Sequence, residues 1–106
     1  MAIRRVVTGH DAEGKAVFAS DEEVEPITLD MLPGAAFVRS WGGDEAPRFP
    51  DDGSQPSGPA YFPGLGGYRF GFVTIAPDAQ SMPDDLDVEA ALAEMERALP
   101  GMAAHM

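Results

Sequence analysis

The 106-residue sequence contains no cysteine, only one lysine and only two histidines. The absence of cysteine excludes disulfide bonds, thiolate nucleophiles and cysteine-ligated zinc or iron–sulfur clusters. His10 and His105 lie far apart in the sequence, and neither has a second histidine at the i+2 or i+4 spacing of a preformed metal site. We therefore assign no metal ligand from the sequence.

Positive charge is also scarce, because seven basic side chains stand against eighteen acidic ones and give a formal net charge of −11. Such a surface repels nucleic-acid phosphates and anionic membranes, so neither is expected as a partner. No apolar run approaches the roughly 20 residues that span a bilayer. Arg4 and Arg5 resemble the basic start of a signal peptide, but residues 6–11 do not continue as the apolar segment that a signal peptide requires. The sequence predicts a soluble cytoplasmic protein.

The length and a hydrophobic fraction of 44% fit a single small domain over residues 1–106. Residues 3–8 and 15–20 are rich in strand-forming side chains and flank a glycine- and aspartate-containing turn at residues 9–14. This order predicts a β-hairpin. The acidic residues 21–26 are expected to end it.

Three further strands are predicted at residues 27–29, 35–41 and 68–76. In the last of these, Tyr68, Phe70 and Phe72 share one face, which we expect to lie against the hydrophobic core. Arg69 then points to the other face, and its expected role is as a solvated or interface residue.

Residues 42–67 have a different composition, since twelve of these 26 residues are glycine or proline. This content excludes a regular helix or central strand and predicts a long loop. Four aromatic residues in or beside the loop suggest that it packs onto the protein: Trp41, Phe49, Tyr61 and Phe62. An ordered surface covering is the favoured interpretation, and a lid over a substrate is the alternative.

A single helix is predicted after Asp87, which is a suitable N-cap. An apolar stripe at spacings of four, three and four residues is expected to be buried: Val88, Leu92, Met95 and Leu99. Glu94 lies on the predicted outer face. Residues 100–101, proline and glycine, end the helix.

Candidate ligand-binding residues come from the predicted strands. Arg39 and Arg69 are arginines within strands, and an inward arginine in a small barrel can hold a carboxylate through two hydrogen bonds. Trp41 and Tyr68 complete the candidate ligand-binding set. No serine lies in a Gly-x-Ser-x-Gly setting, and no catalytic residue is assigned.

Five stretches resemble small bacterial cupin-domain proteins. They are Arg-Arg-Val-Val-Thr-Gly-His-Asp at residues 4–11, Trp-Gly-Gly-Asp-Glu-x-Pro at residues 41–47, Pro-Asp-Asp-Gly at residues 50–53, Gly-Gly-Tyr-Arg-Phe-Gly at residues 66–71 and Leu-Pro-Gly-Met at residues 99–102. The resemblance implies a mainly β fold, in which antiparallel strands form part of a cupin-like β-sandwich or jelly roll with one C-terminal helix. It also implies that the histidine-bearing barrel would follow this segment, so the chain corresponds to the N-terminal part of a cupin domain.

The function implied by the resemblance is small-molecule binding, with metal-dependent catalysis when the barrel is complete. A divalent metal is expected only with such a downstream barrel, and the cofactor is otherwise unknown. The resemblance further implies a homodimer formed by strand exchange. The residues themselves leave open a different class, a non-catalytic acidic interaction module that completes its sheet with a partner chain. Coding sequence downstream of Met106 would distinguish the two classes.

Overall fold

The computed structural model describes residues 2–56, 58–77 and 84–105. The elements in chain order are β1 (Ile3–His10), β2 (Ala16–Val24), β3 (Ala36–Gly43), β4 (Tyr68–Thr74), α1 (Val88–Ala98) and a 3₁₀ turn (Ala103–His105). Two antiparallel sheets of two strands each result, β1 with β2 and β3 with β4. The prediction of a mainly β fold with one C-terminal α-helix is confirmed. The described residues form no closed barrel and are consistent with an incomplete sandwich.

The first hairpin is longer than predicted, because β2 continues through Val24 and includes most of the acidic segment that was expected to end it. The reason lies in β1. Arg5 stands directly opposite Glu22 and pairs with it, while Arg4 reaches diagonally to Asp21 at 2.7 Å. These opposite charges remove the cross-strand repulsion that acidic side chains would otherwise suffer.

The strand predicted at residues 27–29 is wrong, since only a single bridge forms there. Ile27 and Phe37 exchange two backbone hydrogen bonds of 2.7 and 2.9 Å. The chain then turns, as the Leu32 N–H donates to the Leu29 carbonyl at 3.1 Å. Leu29 is thereby buried under the helix instead of continuing the ladder.

Strand β3 pairs with β4 over the full length of both, with a register shift between Arg39 and Trp41. Ser40 is the extra residue of this β-bulge, and bulges re-aim the side chains beside them. The strand extends through Gly42 and Gly43, two residues beyond the predicted end. Gly42 is required there, because a Cβ would lie 2.7 Å from the side chain of Arg69.

The hydrophobic core is small and lies beneath α1. Its buried members are Leu29, Phe37, Met95 and Leu99. Asp87 caps the helix as predicted, accepting a hydrogen bond from the Ala90 N–H at 3.1 Å.

The predicted helix stripe is only partly correct. Met95 and Leu99 are fully buried, but Leu92 is 38% exposed and Val88 is 51% exposed. Ala91 lies in the buried stripe instead, because the helix rests on a narrow loop surface and not on a broad sheet. Glu94 is half-buried and accepts a hydrogen bond from the Asp30 N–H, so its predicted position on the outer face is wrong.

The molecule is elongated, with extents of 58 × 28 × 20 Å and a radius of gyration of 16.8 Å. A compact domain of this length has a radius of gyration of about 13 Å. The extended shape leaves much of both sheets uncovered. Within the described ranges, no helix is long and apolar enough to cross a membrane.

Candidate functional site

An open groove of about 600 Å³ lies between the β3–β4 sheet and the loop that joins these strands. Arg39, Trp41 and Arg69 line this groove, so three of the four candidate ligand-binding residues come together. Tyr68 does not line it. Tyr68 lies instead on a second groove of about 700 Å³, which runs along β1 and shares Trp41 with the first.

Arg69 is held by the loop rather than open to a ligand. Its guanidinium donates to the carbonyls of Ala60, Gly43 and Tyr68 at 2.8–2.9 Å and to the Asp44 carboxylate at 2.7 Å. An arginine has five N–H donors, and these contacts occupy most of them. Arg69 therefore serves first to fix the loop against the sheet.

Arg39 holds the same part of the loop from the neighbouring strand. It donates to the carbonyls of Pro59 and Ala60, both at 3.1 Å, and lies 5.6 Å over the ring of Tyr61. The two arginines thus converge on Ala60. The carbonyls of the loop need such donors, because a segment rich in proline and glycine does not pair its backbone groups in a β-ladder.

The predicted orientation of β4 is wrong. Arg69, expected on the solvated side, has a side chain that is only 16% exposed. Phe70 and Phe72, expected against the core, are 61% and 45% exposed. The loop carbonyls draw Arg69 inward, whereas no described element covers the aromatic face.

Tyr61 is the principal site residue that the sequence reasoning did not select. Its N–H donates to the Pro100 carbonyl at 2.6 Å, and its ring packs edge-on against Phe37 with centroids 6.1 Å apart. Tyr61 therefore joins the groove loop to the end of α1 and to the core. The sequence does show an aromatic residue in a proline-rich loop, which indicates that the loop packs onto the protein. It does not indicate that the contacts are with Pro100 and Phe37.

Arg5 connects the two sheets. It donates to the Ser40 carbonyl at 2.8 Å, pairs with Glu22 and lies 5.6 Å over the ring of Trp41. Its side chain is 12% exposed, and its Nε atom is buried without a hydrogen-bond partner. Ser40, whose carbonyl accepts the hydrogen bond from Arg5, is the extra residue of the β-bulge in β3.

His10 lies in β1 and not in the turn where it was expected. The Asp51 N–H donates to its Nδ1 at 3.1 Å, and its ring packs against Phe49 with centroids 4.6 Å apart. Gly9 beside it lies so close to the Asp52 carbonyl that a Cβ would not fit. His10 and Gly9 therefore anchor the loop to the end of the hairpin. Among the described residues, no three histidine, aspartate or glutamate side chains converge to hold a metal ion.

Two carboxyl groups have altered acidity. The hydrogen bond from Arg4, together with its positive charge, lowers the pKa of Asp21. Hydrogen bonds from the side chain and backbone of Ser54 lower the pKa of Asp52. Both groups are stabilised as carboxylates on the surface, so neither is suited to act as a general acid at neutral pH.

The most exposed apolar part of a strand is β4 and the residue that follows it. Phe70, Phe72, Val73 and Ile75 are 61%, 45%, 54% and 85% exposed. The rings of Phe70 and Phe72 pack edge-on with centroids 5.6 Å apart. Among the described residues, no strand pairs with the edge of β4 that faces away from β3.

No family model, curated protein or solved structure matches the chain. The fold and the site define it as a mainly β protein with an open aromatic groove and an uncovered apolar strand.

Proposed function

We propose that the chain is a protein-interaction module whose β3–β4 sheet is completed by a strand from another chain. The observation that carries this proposal is the free edge of β4, where the described residues supply no third strand. A two-stranded sheet is marginal in water and gains stability from further strands or from packing against a helix. The cluster beneath α1 includes Phe37 of β3 but no residue of β4, so the helix does not support the outer strand. Strand addition to such an edge is a common mode of recognition.

Exposed apolar side chains on both faces of β4 support the proposal. Phe70 and Phe72 lie on one face, and Val73 and Ile75 lie on the other. Contiguous exposed apolar surface of this kind marks interaction sites in monomeric proteins. A partner strand beside β4 would place its own side chains next to these residues on both faces of the sheet.

The distribution of charge also favours β4 over the other sheet as the contact. Residues 67–77 contain no acidic side chain, although the whole chain has a net charge of −11. In contrast, β2 has three consecutive exposed acidic residues, Asp21, Glu22 and Glu23. Charged side chains protect a strand edge against pairing, so the acidic half of β2 is protected in a way that β4 is not.

Small-molecule binding in the groove is the second candidate, as the cupin resemblance leads us to expect. The groove volume of about 600 Å³ lies within the usual range for ligand sites, and Trp41, Tyr61 and Phe70 supply aromatic walls. Because Arg39 and Arg69 already bind loop carbonyls, the ligand favoured by this lining is apolar. Cupin membership, metal-dependent activity and a cytoplasmic location in a bacterium stay predictions.

The interaction module can be tested with a displayed library of random extended peptides selected on the purified chain. We expect enrichment of peptides with alternating apolar residues, because they can add a strand to β4 and pack their apolar side chains beside those of β4 on one face. Val73→Lys should weaken their binding at least about tenfold, since lysine at an edge disfavours pairing.

The matched control is Phe18→Lys, because Phe18 is an exposed aromatic residue of the other sheet, 80% exposed on β2. This variant should bind the selected peptides as the unaltered chain does. Failure to enrich any peptide, or equal loss of binding in both variants, would contradict the proposed function.

A further inference from the structure

We propose that the strand completing the sheet is β4 of a second copy of this chain, paired antiparallel about a two-fold axis at Gly71. This inference rests on the proposed function and names its partner. The resulting sheet has four strands in the order β3–β4–β4–β3. It therefore exceeds the three strands that a sheet needs for independent stability.

The sequence of β4 is self-complementary in this register. Pairing about Gly71 places Phe70 of each copy opposite Phe72 of the other, and Arg69 opposite Val73. Directly opposed aromatic residues stabilise antiparallel pairs. The rings of Phe70 and Phe72 already pack together within one copy, so the dimer would gather four rings on one face.

Gly71 suits the position at the axis. Within one copy it packs tightly against β3, since a Cβ would lie 2.5 Å from the Val38 carbonyl. At the axis the two glycines are directly opposed, and glycine permits the close approach of another backbone.

Charge restricts which surface two copies of the chain can share. Two molecules of net charge −11 repel each other, and contact through the acidic β2 would increase that repulsion. The segment from Gly67 to Pro77 carries one arginine and no acid, so it is a surface that two copies can share. The remaining repulsion is long-range and is screened by salt.

The contact is narrow, because it consists of one strand edge and the side chains beside it. Interfaces below about 1,200 Å² are typically weak and transient. We therefore expect a reversible dimer that forms at high concentration and becomes tighter when salt screens the net charge.

Sedimentation velocity across roughly 5–500 µM chain, at low and moderate salt, tests the association. We expect a shift from a mass of 11.2 kDa toward twice this value, with a dissociation constant that falls at least about threefold as salt is added. Val73→Lys should raise the dissociation constant at least about tenfold, because it places a lysine opposite Arg69 of the other copy. Phe18→Lys should leave it within about twofold, because Phe18 is an exposed residue of the other sheet, and circular dichroism will establish that each variant is folded.

Cysteine cross-linking tests the register. A mixture of Phe70→Cys and Phe72→Cys chains should form a mixed disulfide at least about fivefold faster than either chain alone, because those positions are directly opposed. Equal rates in all three samples would overturn the register, and an unchanged dimer in Val73→Lys would overturn the surface.

The result also separates this inference from the function on which it rests. A chain that stays monomeric at all concentrations, yet binds selected peptides through β4, overturns the homodimer and leaves the interaction module intact. Loss of both kinds of binding overturns the two together.

Discussion

The two sheets of this protein have the same number of strands but manage their exposed edges in opposite ways. In the β1–β2 hairpin, arginines on one strand pair with acidic residues on the other, and the outer strand carries further acids. In the β3–β4 sheet, charge is confined to arginines that hold a loop, and the outer strand presents phenylalanine, valine and isoleucine. The two sheets have the same backbone pairing, so the difference between their edges lies in the side chains. Charged side chains disfavour the addition of another strand, and apolar side chains favour it.

The largest expected effect concerns the support beneath β3. Leu99→Ala should lower the free energy of unfolding by about 2–5 kcal/mol, because it removes a fully buried side chain from the cluster around Phe37. Leu92→Ala is the control and should cost less than about 1.5 kcal/mol, since Leu92 is 38% exposed. Urea unfolding of both variants measures the difference. Equal losses would mean that the helix does not rest on this cluster.

An intermediate effect is expected from the arginine that holds the groove loop. Arg69→Lys should lower the free energy of unfolding by about 1–3 kcal/mol, because one ammonium group cannot reach the several acceptors that the guanidinium binds. Arg4→Lys is the matched change in the other sheet, where the side chain is 70% exposed. It should leave the unfolding midpoint unchanged. A comparable loss from both variants would remove the distinction between the two sheets.

The smallest effect concerns acid and the first hairpin. Because Arg4 lowers the pKa of Asp21, the carboxylate contributes stability that is complete above its ordinary pKa of about 3.9 and is lost as pH falls through its lower folded value. An NMR titration of Asp21 should show a rise in this pKa toward the ordinary value when Arg4 is replaced by methionine. Asp52 is the internal control, since Ser54 and not Arg4 lowers its pKa. A coincident rise at Asp52, which lies in the loop between β3 and β4, would show that the variant disturbs the structure beyond the hairpin.

The sequence predicted those features that depend on neighbours along the chain. Strand-forming residues and alternation located the four strands, and the capping residue Asp87 located the start of α1. The extension of β2 was missed because its stability depends on arginines about 17 residues away. The orientation of Arg69 was missed for a similar reason, since loop carbonyls contributed by distant residues attract the guanidinium.

In the candidate site, too, local features were predicted from the sequence and long-range contacts were not. The two strand arginines were selected because an inward arginine can bind a carboxylate, and Trp41 was added to the same set. Tyr61 was not selected, because its importance follows from contacts with Phe37 and with the end of the helix. Such contacts depend on how a loop without regular structure folds back, and no local pattern encodes that path.

The hydrogen bond from the Tyr61 N–H to the Pro100 carbonyl makes the groove loop and the helix one cooperative unit. The loop cannot leave the sheet without breaking a contact at the end of α1, and the helix cannot undock without releasing the loop. We therefore expect the groove wall and the end of the helix to open together. Hydrogen exchange at the Tyr61 amide would then measure how often this unit opens.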